Sequence, residues 1–250
     1  MLLSIRPINT GMIQVDTGIH ITQGRNVGKK TYIPALTWLI EGGEKLVLVD
    51  TGMAATKMAD WHHKGSYQDE GMDICSQLRK IGVNPKDIDI VIFTHLHWDH
   101  CYHMKEFVNA EYIVHKKELD FAKDPIPPYY KSYESPVLGL EPQFANVPFT
   151  VVEDEKQIIP GVTVFPTPGH SPGHQSVEVV TDGGKYIIAG DAVFTEENLK
   201  GAPDEKLPFL PIGRFTSYLE MWDSMIKIAK RSNLILPGHD LKVLEKEIYK

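Results

Sequence analysis

The stretch Thr94-His95-Leu96-His97-Trp98-Asp99-His100 constrains the chain most: it sets three imidazoles and a carboxylate directly behind the apolar run Ile88 to Phe93. An apolar run of that length reads as a buried strand, so these side chains emerge at its carboxyl end. In extended backbone, His95, His97 and Asp99 would share one face with period two, and a tight loop would turn His100 towards the same point. Neutral imidazole nitrogen and carboxylate oxygen are ligands that suit zinc, iron or manganese. Burying such a cluster without an ion would leave several polar groups unpaired. A metal site is therefore the expectation.

Three more strand ends point the same way. Thr167-Pro168-Gly169-His170-Ser171-Pro172-Gly173-His174 follows the strand candidate Val162 to Pro166, and its prolines and glycines build a rigid turn. Gly190-Asp191-Ala192 closes the candidate Lys185 to Gly190, and Leu236-Pro237-Gly238-His239-Asp240 closes Asn233 to Leu236. Each alone is an ordinary turn. Together they deliver further His and Asp side chains from strand termini.

Further short strands are expected at Leu36 to Glu41, Leu46 to Asp50, Tyr112 to His115 and Ser176 to Val180, with Gly42-Gly43 and Gly183-Gly184 as hairpin turns. Ile74, Leu78 and Ile81 predict a helix stopped by Gly82. Leu219, Trp222, Ile226 and Ala229 predict another behind the capping box Ser217-x-x-Glu220, and a short terminal helix is expected from Leu241 to Ile248. This alternation suggests two packed sheets with helices outside. The segment 124–148 differs, with six prolines, Tyr129, Tyr130, Tyr133 and Phe144, and little periodicity. It reads as a Pro-stiffened excursion or a lid within one domain spanning 1–250.

Composition narrows the partners. With 26 Lys and Arg against 33 Asp and Glu, the net charge is −7, which argues against nucleic acid. Only Cys75 and Cys101 are present, too few for a disulfide scaffold. The start shows no basic flank followed by an apolar core, and the apolar runs fall far short of the ~20 residues of a membrane span. A soluble, cytoplasmic protein without membrane or nucleic-acid partners is expected.

The H-x-H-x-D-H pattern at 95–100, followed in order by His170, Asp191 and His239, resembles the metallo-β-lactamase fold superfamily. Within it the chain looks most like the N-acyl homoserine lactonase group, through Leu48-Val49-Asp50-Thr51-Gly52-Met53, Thr167 to Ser176, and Asp191-Ala192 with Thr195-x-Glu197-Asn198. The resemblance implies an α/β fold, an αββα sandwich of two packed mixed sheets flanked by helices. It implies two divalent ions, zinc first and manganese, iron or cobalt as alternatives. His95, His97 and His170 would hold one ion, Asp99, His100 and His239 the other, and Asp191 would bridge them. Asp50 would orient a ligand imidazole, and His174 would be a partner within its own turn.

The implied reaction is opening of a small-molecule lactone or related ester by a metal-bridging hydroxide, with Asp99 passing a proton to the leaving alkoxide. Trp98, Tyr102 and Phe194 are candidates for the substrate pocket, and Arg214 is expected to be a solvated surface arginine, with bidentate binding of a substrate carboxylate as the alternative. Two positions depart from the lactonase pattern. Phe194 stands where that group commonly has a tyrosine, and Cys101-Tyr102-His103 replaces its usual Gly-Gly pair. The alternatives are a thioester hydrolase of the glyoxalase II type and a non-catalytic metal-binding protein of the same fold.

Overall fold

The computed structural model describes residues 2–250. One sheet contains, in spatial order, β1 (Ser4–Asp16), β2 (Lys30–Glu41), β3 (Val47–Val49), β4 (Ile90–Ile92), β5 (Glu111–His115) and β6 (Thr150–Val152). The first three run antiparallel and β3 to β6 run parallel. The second sheet contains β7 (Lys156–Ile159), β8 (Val162–Pro166), β9 (Gln175–Thr181), β10 (Gly184–Gly190) and β11 (Leu234–Pro237), in the order β11-β10-β9-β8-β7. Only β10 and β11 are parallel there. Helices α1 (Thr56–His62), α2 (Ile74–Lys80), α3 (Trp98–Cys101), α4 (Lys116–Lys123), α5 (Glu196–Lys200) and α6 (Tyr218–Arg231) complete the fold. The expected sandwich of two mixed sheets flanked by helices is present.

The apolar runs explain the layering. Val47 and Val49, Ile90 and Ile92 face the other sheet and meet Val164, Val177, Val179 and Ile188. Their sequence neighbours Leu48, Val91 and Phe93 point outward onto Ile74 and Leu78 of α2. A strand covered on both faces has no polar face to show, so it reads as a continuous apolar run. On the second sheet, Phe165, Ile187 and Ala189 take Ile228 of α6.

Some expectations need correction. The sequence pattern does not predict the strand β1, because a bulge between Asn9 and Met12 breaks its alternation. Before the bulge the alternation is regular, so Ile5 joins the inter-sheet core while Ile8, three residues on, packs on the outer face. The short strands β6 and β7, the latter polar at its start, were likewise not anticipated. On α6 the buried face is Met221, Ser224, Met225 and Ile228, and Leu219 is 77% exposed. Ser217 does cap the helix, accepting from the Glu220 N–H. The terminal helix is a shorter 3₁₀ turn, Leu241–Glu245, after which Tyr249 pairs through its backbone with Ile5.

The excursion 124–148 holds 3₁₀ turns at Pro127–Tyr129 and Pro136–Leu138. It is pinned to the body. Trp98 N–H donates to Ser132 O at 3.0 Å, Tyr129 Oη to Phe215 O at 2.6 Å, and His62 meets Glu134 at 3.0 Å in a buried pair. These contacts join the excursion to the body in this conformation. Among the described residues no helix is long and apolar enough to cross a membrane.

Candidate metal centre

Strands β3, β4, β8, β10 and β11 all end at one edge of the sandwich, because the first two are parallel and β8, β10 and β11 share a direction. The sheets are tied there by Gln175, whose N–H donates to Thr94 O and whose Nε2 donates to Phe93 O. Residues 95–97 leave β4 extended, but Trp98 starts the single helical turn α3. Asp99 and His100 thus arrive from a helical turn, and the shared extended face expected for Asp99 does not form.

All seven expected residues meet at this edge. Nε2 of His95 and Nε2 of His170 each lie 3.0 Å from Nδ1 of His97. Oδ2 of Asp191 is 3.2 Å from His170 Nε2 and 3.8 Å from His95 Nε2. Its Oδ1 is 3.2 Å from His100 Nε2 and 3.0 Å from His239 Nε2, and Asp99 Oδ2 lies 3.7 and 3.9 Å from those two nitrogens. Each oxygen of Asp191 therefore serves a different group.

The residues fit divalent ions. Tetrahedral ligands at about 2.0–2.1 Å from zinc stand roughly 3.3 Å apart, close to the separations found. His100 Nε2 and Asp191 Oδ1 are buried without a hydrogen-bond partner. Burial, reinforced by neighbouring imidazoles, pushes His95 and His97 well below the ordinary histidine pKa, and burial also lowers His170. They are neutral, with lone pairs that face one another. A shared cation satisfies all three nitrogens, whereas a single proton on His97 Nδ1 would have to be divided between His95 and His170.

In the other group the shifts run the opposite way. Burial opposes the charge of Asp191, but the imidazoles of His239, His100, His170 and His95 outweigh it and hold its pKa well below the carboxylate range. Burial likewise opposes the imidazoliums of His100 and His239. Asp191 and Asp99 outweigh it at both, with Asp50 adding to the effect at His100, so both pKa values rise.

The far nitrogens are mostly held. His100 Nδ1–H donates to Asp50 Oδ2 at 2.8 Å, His170 Nδ1–H to Arg214 O at 2.9 Å and His239 Nδ1–H to Pro34 O at 2.8 Å. Such partners fix the tautomer that leaves Nε2 free for a metal. His97 is the exception, with Nε2 buried and unpartnered. His174 stays outside the cluster, but its role is wider than a partner within the turn. Its Nε2 accepts from the Asp191 N–H at 2.9 Å, and burial lowers its pKa to about 3. Gly190 sits at φ +54°, where a Cβ would lie 2.7 Å from that nitrogen.

Glu118, on α4, was missed by sequence reasoning. Its buried carboxylate accepts from Leu96 N–H at 3.0 Å, Tyr133 Oη at 2.8 Å, Ser171 Oγ at 2.5 Å and Gly173 N–H at 3.3 Å. It thereby joins the 95–100 loop, the His170 turn and the excursion. No sequence signal marks it, since a glutamate in a first helical turn is commonplace.

The cluster opens into a cavity of about 240 Å³. Phe194 lines it with its ring 4.9 Å from that of His239, and Trp98 lines it while stacking on His62 at 4.2 Å. Tyr102 does not line it. The Gly52–Cys101 bridge ties that backbone to the end of β3, and the Tyr102 ring packs among Met53, Met58 and their neighbours. Cys101 is buried, with Sγ donating to Leu96 O, and is not part of the ligand groups. Arg214 corrects the surface expectation. It lines the cavity, with Nη2 donating to Ser132 Oγ at 2.9 Å and the guanidinium 4.8 Å over the Tyr129 ring. His20, His62, His63 and Lys131 join it.

Residues 31–239 match the Metallo-beta-lactamase superfamily. An N-acyl homoserine lactonase of Bacillus cereus is 29% identical over 230 residues, covering 86% of this chain and 84% of the relative. The N-acyl homoserine lactonase AttM of Azorhizobium caulinodans is 29% identical over 247 residues, covering 89% and 87%. A solved N-acyl homoserine lactone hydrolase, with the product N-hexanoyl-L-homoserine bound at its catalytic metal center, superposes with a TM-score of 0.79. It is 25% identical, over 98% of this chain and 96% of that one.

Proposed function

Since the chain belongs to the metallo-β-lactamase superfamily, we propose that it is a dinuclear metal-dependent hydrolase that opens a lactone or a related ester. The observation that carries this is the pair of ligand groups, His95-His97-His170 and Asp99-His100-His239, with one oxygen of Asp191 turned to each. A purely structural site closes its shell with four ligands per ion. Here, with one Asp191 oxygen counted to each, both ions would have four protein ligands, so water and substrate would enter by expansion to five-coordination from the cavity that Asp99 and Asp191 line. Zinc suits this donor set best, and manganese, iron and cobalt suit it less specifically. When bound, the ions lower the pKa of a shared water from 15.7 towards roughly 7 and polarise the scissile carbonyl.

The chain's own residues do the rest. Asp191 holds the two ligand groups in register, and His174 fixes its backbone. Asp99 is the most exposed of the seven, at 13%, and lines the cavity. Its carboxylate is placed to take a proton from the attacking water and return it to the leaving alkoxide. Phe194 and Trp98 keep bulk water from the carbonyl. We read the chain as one cytoplasmic domain over 1–250, acting on a small molecule and not on nucleic acid or membrane.

The relatives make N-acyl homoserine lactones the first substrates to try. Proton release over a panel of lactones, before and after chelation and refilling with zinc or manganese, tests the proposal. Chelator-sensitive acid production supports it. Silence from fully loaded protein sinks it and turns attention to thioesters.

A further inference from the structure

Apart from the metal-ligand carboxylates Asp99 and Asp191, no acidic residue lines the cavity, although the chain as a whole carries −7. Its wall instead holds two basic side chains, Arg214 and Lys131. Neither has a carboxylate within ion-pair distance among the described residues, whereas Arg6, Arg25 and Arg231 each pair with a glutamate. An unpaired guanidinium lining the cavity that leads to the ligand groups would be well placed to receive an anion that arrives from outside.

The guanidinium is also built into place. It is part-buried, Ser132 Oγ takes one of its N–H groups, and the Tyr129 ring lies beneath it, itself fixed through Tyr129 Oη to Phe215 O. The remaining donors of the fork find no protein acceptor among the described residues, and a planar fork with spare donors suits a carboxylate. Lys131 Nζ, held 4.8 Å over the Trp61 ring, supplies a second charge. Ile13, Val15, Ile33 and Phe194 form the apolar wall. At about 240 Å³ the cavity is smaller than the ~300–1,000 Å³ of ordinary small-molecule sites.

We propose that the substrate is a compact lactone or ester carrying its own carboxylate, which Arg214 binds, with Lys131 assisting, while the scissile carbonyl faces the metal ligands. This rests on the hydrolase reading above and narrows it from lactones in general to anionic ones.

The test has a binding arm and a turnover arm, both on zinc-loaded protein. Binding is measured calorimetrically for the dicarboxylates succinate to pimelate against monocarboxylates of equal length, for wild type, Arg214→Gln and Lys131→Met. Zinc content checks that each variant keeps its site. The best dicarboxylate should bind wild type about tenfold or more tightly than its monocarboxylate, as a charge-assisted pair gives. Arg214→Gln should abolish that advantage and Lys131→Met reduce it. No advantage in wild type, or one that survives Arg214→Gln, overturns the proposal.

The turnover arm compares a butyrolactone bearing a carboxylate side arm with its primary amide. The ratio of their kcat/KM values should fall on the order of ten- to a hundredfold in Arg214→Gln. Dicarboxylate selectivity without turnover of either lactone would keep the carboxylate site and sink the lactonase reading. Turnover of both with an unchanged ratio would do the reverse.

Discussion

Oδ2 of Asp50 accepts a 2.8 Å hydrogen bond from Nδ1 of His100, while the opposite nitrogen of that ring lies 3.2 Å from Oδ1 of Asp191. Asp50 adopts φ +62°, a left-handed conformation that costs a non-glycine residue about 1–3 kcal/mol. The carboxylate is held there by two further 2.8 Å bonds, from Thr94 N–H and Thr94 Oγ. A strained residue at the end of β3 thus sets the ring of the proposed metal ligand His100.

Asp50→Asn tests this link. Asparagine tolerates the left-handed region, so the fold should survive, but its amide no longer fixes the His100 tautomer as a carboxylate does. Zinc affinity should fall by about 10–100-fold, measured by competition with a chromophoric chelator. An unchanged affinity would remove Asp50 from the account.

Glu118→Gln should destabilise the protein by roughly 2–3 kcal/mol, because four donors lose a charged acceptor in a buried site. Glu118 joins the 95–100 loop to the His170 turn, so zinc occupancy should fall with stability. Denaturant unfolding of metal-free and loaded protein reads both. A stability change below ~0.5 kcal/mol would contradict the role.

Metal uptake should release protons. In the metal-free protein Asp191 and Asp99, together with Asp50 at His100, hold His100 and His239 protonated above the ordinary histidine pKa, against the pull of burial. Coordination needs the neutral rings. Apparent affinity should therefore weaken as pH falls and strengthen as pH rises until both rings are neutral without metal. Calorimetry in buffers of different ionisation enthalpy counts the protons, and a buffer-independent heat would rule the coupling out.

Phe194→Tyr should add a hydroxyl at the cavity wall beside His170 and His239, whose rings lie 5.7 and 4.9 Å from the phenyl. If that oxygen reaches the developing oxyanion, kcat on N-acyl homoserine lactones should rise about tenfold or more. Steady-state kinetics at full zinc loading checks this, and a lowered kcat would show that the apolar ring matters more than the missing donor.

Much of this was readable in the sequence for physical reasons. Val47 to Val49 and Ile90 to Ile92 are covered on both faces, so they announce themselves as strands. His95 to His100, His170, Asp191 and His239 stand at strand ends, where prolines and glycines mark the turns. What stayed hidden depends on contacts distant in sequence. Glu118 meets Leu96 22 residues away and Ser171 53 away. Arg214 reads as a solvated side chain until Ser132, 82 residues before it, is placed beside it. The α6 face was misread because apolar count favours Leu219, while the buried stripe includes Ser224 bonded to Pro168 O.

The most direct test of the central claim is stepwise zinc titration of metal-free protein, following turnover and bound metal together. The account predicts saturation at two ions per chain, and a single tight ion with no second site in Asp191→Ala. Full activity at one equivalent, or zinc binding and turnover unaffected by Asp191→Ala, would contradict it.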